Sequence, residues 1–183
     1  MEGPSSQEQN PSAERLMPPG DVGEIVEQLA GDGVKSWLEG GWGVDALLGE
    51  QTRPHQDLDL VIALDRAGTA QETLERLGYR IVSDELPTKF MMADDRGHEV
   101  DFHTVTFDQE GGGLQRLQDG RTYRYAPEGF KARGHVAGAE VHCLSAEVQA
   151  STHYGYEPAE TDLHDMRLLA DRFGLKLRPP YDR

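Results

Sequence analysis

The sequence predicts an α+β domain. Helical and strand periodicities alternate over residues 21–77, several short strands follow up to residue 144, and two helical stretches close the chain. The 183 residues suffice for one domain with a sizeable core, and neither an internal repeat nor a linker divides them.

Asp21 followed by Glu24 marks a helix start, and Val22, Ile25, Val26 and Leu29 recur at helical spacing up to the Gly31-Asp32-Gly33 stop. Val34 to Leu38 reads as a short strand closed by Gly40-Gly41, and Val44 to Leu48 as a short helix ended by Gly49. Leu58 to Leu64 is a buried strand, and Asp65 to Leu77 a helix closed by Gly78. Strands are expected over 79–83, 88–93 and 98–105, then a flexible loop at glycines 111–113. Residues 121–126 and 135–144 read as strands, the second broken by a turn at Gly138. Helices follow over 145–154 and 158–173, with Leu163, Met166, Leu169, Ala170 and Phe173 as one apolar stripe on the second.

The expected domain spans 21–176, between a disordered N-terminal tail of residues 1–20 and a short C-terminal tail of 177–183. The N-terminal segment is proline-rich and lacks the apolar run of a secretory signal. The chain carries 33 Asp+Glu against 18 Lys+Arg, a net charge of −15, of which only −2 lies in that segment. A body this acidic is unsuited to nucleic acid, whose binding depends on Lys and Arg displacing counterions, and equally to an anionic membrane surface. The longest apolar run, Leu60 to Leu64, falls far short of the roughly 20 residues that span a bilayer. Cys143 is the only cysteine, which excludes an intrachain disulfide and makes a reducing cytoplasm the simplest location.

The most informative stretch is Leu38-Glu39-Gly40-Gly41-Trp42-Gly43-Val44-Asp45, followed by Arg53-Pro54-His55-Gln56-Asp57-Leu58-Asp59-Leu60. If 57–60 opens a strand, Asp57 and Asp59 share a face about 6–7 Å apart, a spacing that lets hard carboxylate oxygens share one or two Mg²⁺ ions. Leu58 and Leu60 then face the core. In Glu99-Val100-Asp101-Phe102-His103 the same alternation sets Glu99, Asp101 and His103 opposite Val100 and Phe102. Were that strand adjacent to 57–64, Asp101 could reach the same metals. Three carboxylates around Mg²⁺ suit phosphoryl or nucleotidyl transfer, with one of them taking the proton of an attacking hydroxyl. A Gly40-Gly41 turn opening a helix would bring backbone N–H groups to phosphate oxygens. Taken singly, a D-x-D pair is common and a Gly-Gly is usually only a turn; their joint order carries the reading.

These residues resemble the nucleotidyltransferases of the polymerase-β superfamily, and most closely the lincosamide nucleotidyltransferases. The likeness lies in Trp37 to Asp45, Arg53 to Leu60, Leu77 to Ile81, Val100 to His103, His153 to Tyr156, Thr161-Asp162 and Asp165, and covers about residues 22–173. The aminoglycoside 2″-nucleotidyltransferases share the Gly-Gly-Trp and D-x-D segments. The resemblance implies a mixed sheet flanked by helices, with C-terminal strands and helices. It implies Mg²⁺-dependent transfer of AMP from ATP to a hydroxyl of a small amine-bearing antibiotic, releasing pyrophosphate. Asp57, Asp59 and Asp101 match the catalytic metal-binding carboxylates, with Asp101 as general base. Gly40 and Gly41 match the phosphate-contacting turn, while Arg53, His55 and the weaker Lys89 are candidates for the nucleotide. The partner is a lincosamide-like or aminoglycoside-like acceptor, and a homodimer is allowed. Thr104 stands where the resemblance leads one to expect proline. The alternatives are the aminoglycoside branch, a metabolite-modifying enzyme, and a nucleotide-binding regulatory or antitoxin-like protein of the same fold.

Other residues read as structural. His164-Asp165 lacks the partners of an HD phosphohydrolase, and His142-Cys143 lacks zinc spacing. Trp42 is a packing anchor before it is a stacking platform. Asp94-Asp95 before Arg96-Gly97 is a hairpin turn.

Overall fold

A computed structural model describes residues 16–182. Among these residues five helices, α1 (Pro19–Gly31), α2 (Gly40–Leu48), α3 (Ala67–Arg76), α4 (Ala146–Thr152) and α5 (Glu160–Phe173), surround nine strands. These are β1 (Ser36–Glu39), β2 (Asp57–Ala63), β3 (Arg80–Glu85), β4 (Lys89–Ala93), β5 (Glu99–Phe107), β6 (Gly113–Arg116), β7 (Thr122–Tyr125), β8 (Arg133–Val136) and β9 (Ala139–His142). The main sheet runs β1-β2-β5-β4-β3, with β6 and β7 added beside the end of β5, and β8-β9 form a separate hairpin. Among the described residues only β2 and β5 pair in parallel within the main sheet, and the crossover between them contains α3, β3 and β4. This is the expected mixed sheet flanked by helices.

Strand alternation divides the sheet into two chemically different faces. Leu58, Leu60 and Ile62 of β2, Val100 and Phe102 of β5, and Phe90 and Met92 of β4 are fully buried with Val22, Ile25 and Leu29 of α1 and Leu74 of α3. Phe90 and Phe102 stack with ring centroids 4.6 Å apart. Burying each of these large side chains contributes about 2–3 kcal/mol. On the opposite face, Trp37, Val61 and Val105 lie under Tyr125, Phe130, Leu144 and Val148. One end of that second face is therefore apolar and covered. The other end carries the acids.

Several boundaries move. Residues 1–15 of the expected tail lie outside the described residues, but 16–20 belong to the body: Met17 is buried, its N–H donates to the His55 carbonyl at 2.8 Å, and α1 begins at Pro19, two residues before Asp21. Proline suits a first helical turn, where its missing N–H has no partner to lose. The C-terminal tail starts no earlier than residue 182, because Tyr181 is buried, packs edge-on against Tyr154 and donates its hydroxyl to the His153 carbonyl. Helix α2 starts at Gly40 instead of Val44. The expected 111–113 loop ends where β6 begins, at Gly113, and a short 3₁₀ segment over Pro127–Lys131 had no sequence signal. No helix among the described residues is long and apolar enough to cross a membrane.

Candidate active site

The register of three strands assembles the acids. Asp59 lies opposite Asp101 across the parallel β2–β5 pair and opposite Glu39 across the antiparallel β1–β2 pair. Asp57 lies opposite Glu99. Like charges in one layer of a sheet repel, and two basic side chains stand against them. Lys89 on β4 donates to Asp101 Oδ2 at 2.9 Å, while His103 Nε2 lies 3.7 Å from Asp59 Oδ1 and 3.8 Å from Asp101 Oδ2. Asp59, Asp101 and His103 thereby place potential ligand atoms within 4.8 Å of one another; Asp57 stands one layer outside that group. Asp101 Oδ1 is buried with no hydrogen-bond partner among the described residues. An orphaned anionic oxygen beside a second carboxylate is the donor set of a hard divalent cation, so the residues present fit one.

Helix α2 opens against this layer, and its glycines are there because nothing larger fits. Gly40 has φ +60°, and a Cβ on it would overlap Asp59 Oδ2; a Cβ on Gly41 would stand 2.5 Å from the Arg53 guanidinium. The first N–H groups of any helix lack intrahelical acceptors, and no side chain caps this one. Gly40→Ala should therefore impair turnover more than folding. We expect a loss of about 1–2 kcal/mol in stability from the left-handed backbone, with kcat/KM falling by at least tenfold as Asp59 is displaced. Parallel urea titration and rate measurement would check this.

The basic candidates divide. Arg53 lines the cavity in front of the acids and is clamped by Asp165 of α5, with Nε to Oδ1 at 2.9 Å and Nη2 to Oδ2 at 2.6 Å. Asp165 is itself buried. Three of the five guanidinium N–H groups are used, one of them on the Pro54 carbonyl, which leaves two for a ligand. His55, expected at the nucleotide, is turned away instead. It is buried, packs against Trp42 at 4.6 Å, and donates from Nε2 to Asp45 Oδ2 at 2.5 Å. Its role is to hold the segment carrying Arg53 against α2. Lys89 reaches Asp101, and the Asp101 hydrogen bond keeps its ammonium above the usual lysine pKa.

The cavity measures about 740 Å³ and runs from Glu39, Gly40, Gly41, Asp57, Asp59 and His103 to a second wall made by Thr152, His153, Tyr156, Thr161 and Asp162. On that wall the Tyr156 hydroxyl and the Ala159 N–H both donate to Asp162, at 3.2 and 2.8 Å. Two acids on the first wall hold protons unusually well. Burial, with Asp59 beside it, pushes Glu39 up to about 7, and the same two causes raise Asp57 to about 6. Burial opposes the His103 cation, but Asp59, Glu39 and Asp101 outweigh it and hold its pKa at about 9.

A folded acid whose pKa is raised from 4.5 to about 7 leaves the fold unpenalised below pH 4.5 and increasingly destabilised as pH rises to about 7. Metal-free protein should accordingly lose melting temperature across that window, and Glu39→Gln should lose less of it. Thermal melts in chelator from pH 4.5 to 8 measure the difference.

Sequence reasoning assigned no role to Glu39, His103 or Asp165. The first two carried a usable signal, since Glu39 shares strand parity with Trp37, and His103 follows Asp101 by two residues. Asp165 carried only its place in the resemblance; its pairing with Arg53, 112 residues away, left no local signal.

Acids paired across parallel strands beside a glycine-opened helix suit nucleotidyl transfer, and the family match and relatives make this chain a nucleotidyltransferase. The sequence profile of the aminoglycoside-2″-adenylyltransferase family matches residues 21–169, and the chain belongs to that family. It is 30% identical over 136 residues to a lincosamide resistance protein of Staphylococcus haemolyticus, covering 74% of this chain and 84% of that one. It is 34% identical over 111 residues to a 2″-aminoglycoside nucleotidyltransferase of Klebsiella pneumoniae, of which it spans 58%. The crystal structure of the lincosamide antibiotic adenylyltransferase LnuA with lincomycin bound superposes with a TM-score of 0.76 at 27% identity, covering 84% of this chain and 97% of that one.

Proposed function

We propose that this enzyme transfers AMP from Mg²⁺-bound ATP to a hydroxyl of a small amine-bearing antibiotic, a lincosamide in the first instance. The observation that carries the chemistry is the in-register Asp59–Asp101 pair, with Asp101 Oδ1 left without a partner. The lincosamide choice is supported by the likeness to the staphylococcal lincosamide resistance protein over most of both chains.

Asp57, Asp59 and Asp101 would hold the divalent cations, which when bound offset the triphosphate charge and stabilise the entering and leaving oxygens. Asp101 accepts the proton of the attacking hydroxyl. The hydroxyl oxygen then bonds to the α-phosphorus as the bond to pyrophosphate breaks. The first N–H groups of α2 face the phosphates, and Arg53, oriented by Asp165, pairs with the triphosphate. The wall of Tyr156, Thr161 and Asp162 receives the acceptor.

Arg53→Ala should raise the nucleotide KM about tenfold, in line with the loss of one charge-assisted hydrogen bond of roughly 1.5 kcal/mol, while leaving the acceptor KM nearly unchanged. Initial rates with each substrate varied in turn would test it. The reading as a whole is tested by pyrophosphate release from ATP and Mg²⁺ with a panel of lincosamides and aminoglycosides. Release with lincomycin or clindamycin supports it. Release with aminoglycosides alone moves the enzyme to the second branch, which the family match favours. Release with no compound of either class overturns both.

A further inference from the structure

Gln115 on β6 is 5% exposed and all its amide hydrogen-bonding groups are engaged. The Thr88 carbonyl can only accept, so the atom facing it at 3.0 Å is Nε2. The buried Tyr125 hydroxyl donates to Oε1 at 3.1 Å. A flipped amide would set Oε1 against the Thr88 oxygen, so the orientation is determined by its surroundings. The second amide hydrogen then points at His103 Nδ1, 3.3 Å away.

A ring nitrogen that accepts a hydrogen bond carries no hydrogen, so the neutral His103 ring keeps its hydrogen on Nε2. That nitrogen faces Asp59 and Asp101, and His103 lines the cavity. An imidazole that ligates a metal through Nε2 needs the opposite arrangement, with Nδ1–H donated to an acceptor. Gln115 offers a donor there. The neutral His103 ring thus lies among potential ligands without being set up as one; the cationic ring also carries Nε2–H, but its Nδ1–H would meet the Gln115 amide hydrogens, so the pairing with Gln115 belongs to the neutral ring.

From this geometry we infer that His103 is a hydrogen-bond donor, through Nε2–H, to a phosphoryl oxygen of the nucleotide, and that Gln115 is the positioning residue holding it in that tautomer. The inference rests on the nucleotidyl-transfer reading for its acceptor: Asp59 Oδ1 and Asp101 Oδ2 stand 3.7 and 3.8 Å from Nε2, too far for a hydrogen bond, and a triphosphate drawn to that pair brings a phosphoryl oxygen within reach.

The test combines spectroscopy, metal binding and rate. Long-range ¹H–¹⁵N NMR at alkaline pH, with His103 assigned by its absence from the His103→Gln spectrum, should show hydrogen on Nε2 and a bare Nδ1. The Gln115→Met variant should lose that bias. Mn²⁺ affinity followed by electron paramagnetic resonance should stay within about threefold of wild type in both His103→Leu and His103→Gln, against the roughly 10–100-fold loss that disturbing a metal's ligand environment produces. Turnover should fall about 10²-fold in His103→Leu, as when one donor to a reacting oxyanion is removed, and recover to within about tenfold of wild type in His103→Gln, whose amide retains an N–H. A bare Nε2, a 10-fold or greater Mn²⁺ loss in both variants, or full turnover by His103→Leu would each overturn the inference. Should no acceptor support pyrophosphate release, the nucleotidyl-transfer reading fails on its own, while the NMR and Mn²⁺ results still decide whether His103 is donor or ligand.

Discussion

Asp101→Asn should lower kcat by about 10³-fold, the middle of the range for removing a general base, without unfolding the protein. The amide keeps the shape of the carboxylate and sits where Asp59 and Asp101 oppose each other in register. Removing one of two facing charges relieves repulsion, while loss of the 2.9 Å contact from Lys89 costs a partly exposed ion pair worth little. The two effects offset, so the melting temperature of metal-free protein should stay within a few degrees of wild type. Asp59→Asn should match the kinetic loss and also weaken Mn²⁺ binding. Pyrophosphate release, circular dichroism and metal titration on the three proteins check this together. Near-wild-type turnover by Asp101→Asn would remove the carboxylate trio from the mechanism.

Asp45→Ala carries the largest expected stability effect. Asp45 is 2% exposed on α2 and accepts from His55 Nε2 at 2.5 Å and from Thr52 Oγ1 at 2.6 Å. Deleting it strands a buried imidazole and takes one of two partners from the Thr52 hydroxyl, which should cost about 3 kcal/mol. His55 also packs on Trp42, and its carbonyl takes the Met17 N–H, so the loss would loosen the segment that presents Arg53 to the cavity. Urea denaturation should show a lower midpoint at unchanged slope, with a raised nucleotide KM at temperatures where the variant remains folded. A shift below about 1 kcal/mol would mean the pair is not structural.

His55 shows where local reading fails. Two residues before a D-x-D pair, a histidine is well placed in sequence for a triphosphate, yet Asp45 and Trp42 draw it into the core. Both partners lie on α2, whose start at Gly40 was itself hidden, because three glycines within four residues read as a turn by propensity. Packing accounts for them. A Cβ at Gly40 would overlap Asp59, and one at Gly43 would stand 2.8 Å from the Leu38 carbonyl. Boundaries shifted at both ends of the domain for a related reason: Met17 and Tyr181 are ordered by contacts with His55 and His153, far from them in the chain.

Charge and periodicity determined a good deal unaided. Period-two alternation alone put Asp57 and Asp59 on one face of their strand, and Asp101 with His103 on one face of theirs, each opposite the apolar residues that enter the core. The acidity of the body and the order of glycines and acids indicated the class of chemistry. Tertiary structure alone decided which acids meet. The register of β2 on β5 and β1 on β2 brings Asp59 to Asp101 and adds Glu39. It also decided what holds the basic groups: Asp165 for Arg53, Gln115 for His103 and Asp45 for His55. The physical reason is range. Alternation is a property of consecutive residues, whereas strand pairing and hydrogen-bond partnership depend on which distant segments the core forces together.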